Sequence, residues 1–541
     1  MYEYDTLSML KLGEQMTQML LSTAVACATV AAVAAAVMVW QKFHKHSHCD
    51  QALVLLYEFR HACATPLYVL RHISEHVALE MQAGLNQPGG SQLMMLPTFI
   101  EKLPNGCEKG LFYALDLSGT NFRVLRCLLG GPNARVIKQE YEVVAIPRAL
   151  LLGTSEELFD FIAQRLISFI KLEGPEFQRG HNWNGHQIRE LGLTISFPIC
   201  QTSHNTGILI KWTEGFKIAD GVGKDVVAML QSAMDRQKGF QIRVAVLIND
   251  TVGTMAGGHY WNDDVMVGVI LGTNTNACYV ECNLPEDIQT KSGKMVNIPF
   301  YTLPVIYMEW GRFWSSHLPR TYIDEQLDNE SVNPGDRGFE KMTGAMYLGE
   351  IVRRVLARMA QEANLFGDSV PTKLKQPFIL LTLEMSKMHA DESPDLRIVD
   401  KVLKDVFDIK RTELSERRIV HSVCDTVTMR AARLAAAFIV GILKKIGRDG
   451  WDATGVSSRL MALPRDSEHR ARLELKRTVV AMDGILYEHY HRFRIYMQAA
   501  VYELLSEAAA RKLVIELSKD GSGTGASILA ACHSEFAPSY S

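Results

Sequence analysis

Three glycine-bearing turns, each directly after a strand-like apolar run, constrain this chain more than any other feature. The first reads Leu115-Asp116-Leu117-Ser118-Gly119-Thr120-Asn121-Phe122-Arg123, the second Leu271-Gly272-Thr273-Asn274-Thr275-Asn276 and the third Asp520-Gly521-Ser522-Gly523-Thr524-Gly525-Ala526. Gly and Thr in such turns bring backbone N–H groups and hydroxyls close to a phosphate. A β-hairpin turn uses the same residues, so each turn alone is ambiguous. No Gly-x4-Gly-Lys-Ser/Thr string occurs, which excludes a P-loop. Gly521-x-Gly523-x-x-Ala526 matches the dinucleotide fingerprint, but the 15 residues after Ala526 are too few for the second strand of a βαβ unit. A protein-kinase reading fails for want of His-Arg-Asp and Asp-Phe-Gly strings.

The turns sit in an alternating pattern. Strand-like runs cover Gly110 to Leu129, Leu191 to Pro198, Val244 to Ile248, Val265 to Leu271 and Val514 to Leu517. Helical periodicity covers Gln51 to about Ala83, Ser155 to Leu172 and Asp225 to Met234. Strands alternating with helices predict an α/β fold, and 541 residues predict two or three domains. A 47% apolar share excludes disorder as the main state. The formal charge of −3 argues against nucleic-acid contact. Ten Cys without zinc-like spacing read as reduced thiols facing a cytosol.

Met19 to Trp40 is an uncharged run of 22 residues, long enough to span a bilayer. The segment before it is slightly acidic, and Lys42 and Lys45 follow. The positive flank predicts that the large C-terminal part faces the cytosol. The expected layout is a tail over 1–18, an anchor over 19–40, a basic and His-rich flank over 41–49 and a catalytic region over 50–541. Leu434 to Leu443 is the next longest apolar stretch and reads as a core helix.

Between the first two turns lie Thr194-Ile195-Ser196-Phe197-Pro198, Lys211-Trp212-Thr213-Glu214-Gly215-Phe216 and Asn249-Asp250-Thr251-Val252-Gly253-Thr254. Asp250 stands at the end of an apolar strand, where a carboxylate can take a proton from a hydroxyl attacking phosphorus. Glu309 and Glu340 follow later, and carboxylates accept hydrogen bonds from sugar hydroxyls.

Taken together these strings resemble the hexokinase family, specifically the membrane-anchored plant type. The resemblance is carried by Phe112-Tyr113-Ala114-Leu115-Asp116, Trp212-Thr213, Asn249-Asp250-Thr251-Val252-Gly253-Thr254, Tyr347-Leu348-Gly349-Glu350-Ile351 and Asp520-Gly521-Ser522-Gly523, in family order from about Asp50 onward. It implies an α/β actin-like ATPase (ribonuclease H-like) fold, with two lobes around a cleft. The small lobe would span about 105–250 plus 520–541, and the large lobe about 50–104 plus 251–519. It implies ATP and Mg²⁺, with Asp116 near the metal through water and Asp250 as the base on the sugar 6-hydroxyl. Ser196, Phe197, Thr213, Glu214, Asn249, Asp250, Asn276, Glu309 and Glu340 would line the hexose, whether glucose, fructose or mannose. Asp116, Ser118, Gly119, Thr120, Asn121, Arg123, Gly272, Thr273, Asn274 and Gly484 would line the nucleotide. The plant type further implies attachment to the mitochondrial outer membrane and, for some members, sugar sensing. The expected assembly is a monomer.

Departures from the family fall on the phosphoryl side. Ser118 stands where the family has Gly, so a Cβ there is expected to crowd a phosphate or strain a positive φ. Asn274 also replaces Gly, a conformationally milder change. Glu214 replaces a Lys that would touch the transferred phosphoryl group, so a transition-state attraction becomes a repulsion. Lys217, three residues on, is the candidate substitute donor. Extra stretches lie near 297–306, expected as a loop because of Pro299 and Pro304, and around 451–470. Two readings follow: a hexose kinase of low or normal turnover, and a hexokinase-like sensor or scaffold without useful catalysis.

Overall fold

The computed structural model describes residues 49–87, 89–100, 102–178, 188–213, 215–237, 241–281, 288–289, 295–296, 304–450, 477–518 and 521–535. The expected anchor, Glu214, Asp520, residues 297–303 and the stretch 451–470 lie outside these residues.

Apolar strands separated by tight turns build two main sheets. The first contains β2 (Lys109–Ser118), β3 (Asn121–Gly130), β4 (Val136–Ala145), β5 (Ile188–Ile195) and β8 (Gln241–Ile248), in the order β4-β3-β2-β5-β8. Strands β2, β3 and β4 pair antiparallel, whereas β2, β5 and β8 are parallel. The second contains β1 (Leu96–Pro97), β9 (Val265–Leu271), β10 (Thr275–Val280), β13 (Val305–Tyr307), β14 (Thr478–Asp483) and β15 (Leu513–Leu517), in the order β1-β13-β10-β9-β14-β15. Here β9, β10 and β13 are antiparallel while β9, β14 and β15 are parallel. The same plan of hairpin strands followed by parallel strands thus occurs twice. Short pairs β6 (Ile199–Ser203) with β7 (Thr206–Leu209), and β11 (Ile288–Gln289) with β12 (Met295–Val296), flank the sheets.

Several elements refine the sequence expectations. The run Gly110 to Leu129 is a hairpin turning at Gly119-Thr120. The helical stretch from Gln51 splits into α1 (49–62) and α2 (Leu67–Asn86), with Pro66 at the N-cap of the second. Proline lacks an N–H and clashes with the preceding turn, so one continuous helix is excluded there. Helix α3 (Ser155–Lys171) starts at a capping box of Thr154 and Glu157, and α4 (Val226–Arg236) starts at the Asp225 cap. The extra stretch near 297–306 is not loop to its end. The Pro304 carbonyl accepts the Glu281 N–H at 2.9 Å, and β13 begins with the next residue. Proline is tolerated there because it precedes the ladder.

Helices α5 (Asp250–His259), α6 (Gly338–Thr343), α7 (Ala345–Glu362), α8 (Leu414–Lys445), α9 (His491–Leu504) and α10 (Gly521–Cys532) complete the frame. The apolar stretch Leu434 to Leu443 lies inside α8, buried against α2 and α9 as a core helix. Helix α10 packs on β2 and β5 of the first sheet, and α5 packs on β9 of the second. The two helices cross where Gly253 meets Gly525. A Cβ built on Gly525 would lie 1.9 Å from the Gly253 carbonyl oxygen, so only glycine permits this backbone approach. Each sheet therefore contributes one helix to this contact, and the parallel strands β2, β5 and β8 all end on the same edge of the first sheet.

Candidate active site

Strand β8 delivers Asn249 and Asp250 at its apolar end. Asn249 is buried, and its Nδ2 donates to the carbonyls of Ile195 (3.0 Å) and Phe197 (3.2 Å). This laces the end of β8 to the Ser196-Phe197 turn, where the Ser196 N–H donates to Leu117 O at 3.2 Å. The Phe197 ring packs edge-on against Trp212 (5.2 Å) and Phe216 (5.0 Å), bracketing Thr213 in sequence. The Thr213 Oγ1 is buried and has no hydrogen-bond partner among the described residues. A buried hydroxyl in that state is the kind of group a ligand satisfies. The Asp250 Oδ1 accepts the Thr251 N–H at 2.7 Å.

Asn276, Glu309 and Glu340 come from β10, the residue pair after β13, and α6. The Asn276 Oδ1 accepts the N–H groups of Ala277 (2.8 Å) and Trp310 (3.1 Å), which points its amide at Glu309 Oε1, 3.4 Å away. Tyr307 donates to the same Glu309 oxygen at 2.8 Å. The other oxygen of Glu309 takes Arg337 Nη2 at 2.5 Å. Glu340 accepts the Thr275 N–H at 3.2 Å. Burial raises the Glu340 carboxyl above its ordinary value, against the pull of Arg337. Burial also raises the Tyr307 phenol, and the charges of Glu309 and Asp250 add to the effect. The Cys278 Sγ–H donates to the carbonyl of Thr251 at 3.1 Å, and Cys278 stands opposite Tyr307 across β10 and β13, which joins the residue after Asp250 to this shell.

The other end is built from turns. Asp116 Oδ2 accepts from Ser522 Oγ at 2.9 Å and lies 3.3 Å from Arg123 Nη2. At the start of α10 the Gly521 N–H donates to Asp483 Oδ2 at 3.2 Å, and the Gly484 N–H donates to Asp483 Oδ1 at 2.6 Å. Gly484 has φ 98°, and a Cβ there would lie 2.4 Å from the Leu271 carbonyl carbon. Gly119 has φ 58°. Contacts therefore run from Asp116 through Ser522 and Asp483 to Gly272, and they make a glycine-lined backbone cradle that fits a polyphosphate. Among the described residues no group of three His, Cys, Asp or Glu side chains could hold a metal. A lone carboxylate still fits Mg²⁺, which keeps waters and takes phosphate oxygens.

Two family models described as hexokinase match residues 55–260 and 266–532. Hexokinase-1 of Nicotiana tabacum is 50% identical over 516 residues, covering 95% of this chain and 97% of that one. The chain belongs to the hexokinase family. Hexokinase-2 of Oryza sativa subsp. japonica is 50% identical over 508 residues, covering 93% of this chain and 96% of that one. Among solved structures, a hexokinase from Schistosoma mansoni complexed with glucose has TM-score 0.74 at 29% identity, covering 90% of this chain and 99% of that one. The fold is accordingly the two-lobed actin-like ATPase fold.

Within this hexokinase fold, the hexose residues expected from the sequence lie at the ends of β5, β8, β10 and β13, at α6 and, for Thr213, in the loop after β7, except Glu214, which lies outside the described residues. The expected strain at Ser118 is absent: it is an exposed strand residue opposite Asn121, and its φ is not positive. Asn274 likewise has no positive φ, and its carbonyl accepts the Gly272 N–H at 3.0 Å. Lys217 is exposed and forms no ion pair among the described residues. Sequence reasoning passed over Arg337 and Tyr307, and it had Ser522 in a phosphate turn without assigning it the contact to Asp116. For Arg337 the available signal was its place three residues before Glu340. Lys211 stood in a quoted string without a role, and its Nζ lies 3.5 Å from Asp336.

Proposed function

We propose that this chain binds a hexose and Mg-ATP, that its phosphoryl transfer is impaired, and that its role is sugar sensing or scaffolding. The observation that carries hexose binding is the buried shell of Asn276, Tyr307, Glu309 and Glu340, joined through Cys278 and the Thr251 carbonyl to the strand end that bears Asp250. Such a shell offers acceptors to several hydroxyls at once. Asp250 is the base for the 6-hydroxyl proton, and bound Mg-ATP supplies the phosphoryl group. Glucose is the first hexose to test, with fructose and mannose as alternatives. Impairment rests on the sequence, where Glu214 stands in place of a cation. Two unit charges about 4 Å apart interact by about 4 kcal/mol at an effective dielectric of 20. The reversal therefore costs on the order of 10³-fold or more in rate.

The residues 19–40 are proposed to anchor a monomer to the mitochondrial outer membrane with the catalytic region in the cytosol. A reporter fused after residue 49 tests this; a soluble reporter removes the anchor from the proposal. The test of impairment assays glucose phosphorylation with Mg-ATP by the protein and by Glu214→Lys. The expected result is little or no turnover in the first and a gain on the order of 10³-fold in the second. Ordinary turnover without the substitution returns the protein to the rank of an anchored hexokinase.

A further inference from the structure

Among the described residues Arg337 is the cation that reaches both Glu309 and Glu340. Its Nη2 lies 2.5 Å from Glu309 Oε2, and its Nε lies 3.7 Å from Glu340 Oε1. The three side chains are 11%, 2% and 3% exposed, so water scarcely competes. The remaining oxygens are also engaged. Glu309 Oε1 faces Tyr307 and Asn276, and Glu340 Oε2 takes the Thr275 N–H. Three of the four carboxylate oxygens thus already accept a hydrogen bond from the protein, and the fourth, Glu340 Oε1, has the Arg337 charge within ion-pair range but no hydrogen bond. A guanidinium–carboxylate bond is stronger than one from a neutral hydroxyl, so a sugar hydroxyl enters this shell only against Arg337.

Two further features mark the pair. Arg337 and Glu309 both hold left-handed backbone, at φ 58° and 56°. That conformation is uncommon for side-chain-bearing residues and gathers at functional sites. Arg337 Nε is buried and lacks a hydrogen-bond partner among the described residues. This end of the pocket therefore presents an unused donor where two carboxylates would otherwise present acceptors.

We infer that Arg337 is a specificity-determining residue: its guanidinium competes with hexose hydroxyls for Glu309 and Glu340 and holds hexose affinity down. The inference rests on the hexose reading above. The hexose retained best is one that also brings an acceptor to the Nε–H, because an unmet buried donor is costly.

The test titrates glucose into the full chain by calorimetry, beside Arg337→Gln and Arg337→Lys. Arg337→Gln frees both carboxylates and is expected to bind glucose about tenfold more tightly. It also leaves buried charge unpaired and can fail to fold. Arg337→Lys keeps the charge but loses the planar fork, and it is expected to bind about threefold more tightly. If Arg337→Gln does not fold, Arg337→Lys decides. Folded variants that bind glucose no more tightly than the unsubstituted chain overturn the inference and leave the hexose reading standing. Absence of glucose binding in the unsubstituted chain and in every folded variant overturns the hexose reading, and the inference with it.

Discussion

The two ends of the cleft are built from different materials. The hexose end is made of buried side chains: Asn249 is held by two backbone carbonyls, and Asn276, Tyr307 and Arg337 are held by the Glu309 carboxylate. The nucleotide end is made of turns, with Ser118, Thr120 and Thr273 exposed and with Gly119 and Gly484 at positive φ. A side-chain site transmits a substitution through charge and hydrogen bonding. A backbone site transmits it through shape. The departures from the family pattern should therefore act differently at the two ends: Glu214 through charge, and Ser118 through the space beyond an unstrained strand end.

The largest expected effect breaks the hexose end chemically while leaving it assembled. In the Glu214→Lys background, Asp250→Asn should lower phosphorylation by about 10²–10⁴-fold, the range for losing a positioned base. Its glucose affinity should change little, because the amide keeps the oxygen that accepts the Thr251 N–H. Steady-state kinetics with a parallel binding isotherm measures both. A fall in glucose affinity as large as the fall in rate would make Asp250 a binding group and not the base.

The second effect breaks the nucleotide end through shape. Gly484→Ala puts a Cβ about 2.4 Å from the Leu271 carbonyl carbon at a φ of 98°. The backbone must shift, at a cost of about 1–3 kcal/mol. The thermal midpoint should fall by several degrees. The rise produced by ATP should shrink while the rise produced by glucose persists, since each ligand stabilises only through its own site. Equal loss of both ligand shifts would mean that the two ends are not separable.

The same contrast explains what could be read from the sequence. The strand end carrying Asn249 and Asp250 was legible because the apolar run Val244 to Ile248 stops abruptly at polar residues. The glycine turns were legible because few residues adopt their backbone. Arg337 was not legible. It sits between Asp336 and Gly338 and reads as a solvated turn, yet its partner Glu309 lies 28 residues away and closes over it only in the fold. The run Gly110 to Leu129 was legible as strand but not as two strands, because Gly119-Thr120 is short and both flanks are apolar. Strain at Ser118 was expected from residue type alone, whereas the strand pairing with Asn121 gives it ordinary backbone.

The smallest effect sharpens the hexose end by comparing two buried acid–arginine contacts. Asp324 meets Arg430 through two bonds of 2.6 and 2.7 Å, and its carboxyl is held low although burial pushes it up. Glu340 meets Arg337 only at 3.7 Å, burial wins, and its carboxyl is raised above its ordinary value of 4.5. The signs then differ. Below pH 4.5 Glu340 is protonated in both folded and unfolded chains. As pH rises through its raised folded value, the unfolded chain has already lost that proton, so the stability this group lends is lost. Asp324 acts the opposite way, lending stability above its ordinary value of 3.8 and losing it as pH falls. The Glu340→Gln variant should therefore gain on the unsubstituted chain as pH rises from 4.5, by about 1.4 kcal/mol for each unit by which the folded carboxyl is raised. Matched unfolding curves at a series of pH values measure the difference and cancel the contributions of the other carboxylates. A flat difference would mean that the Glu340 carboxyl is not raised in the fold, and a difference that instead grows as pH falls, as for Asp324, would mean that Arg337 holds Glu340 in a full ion pair.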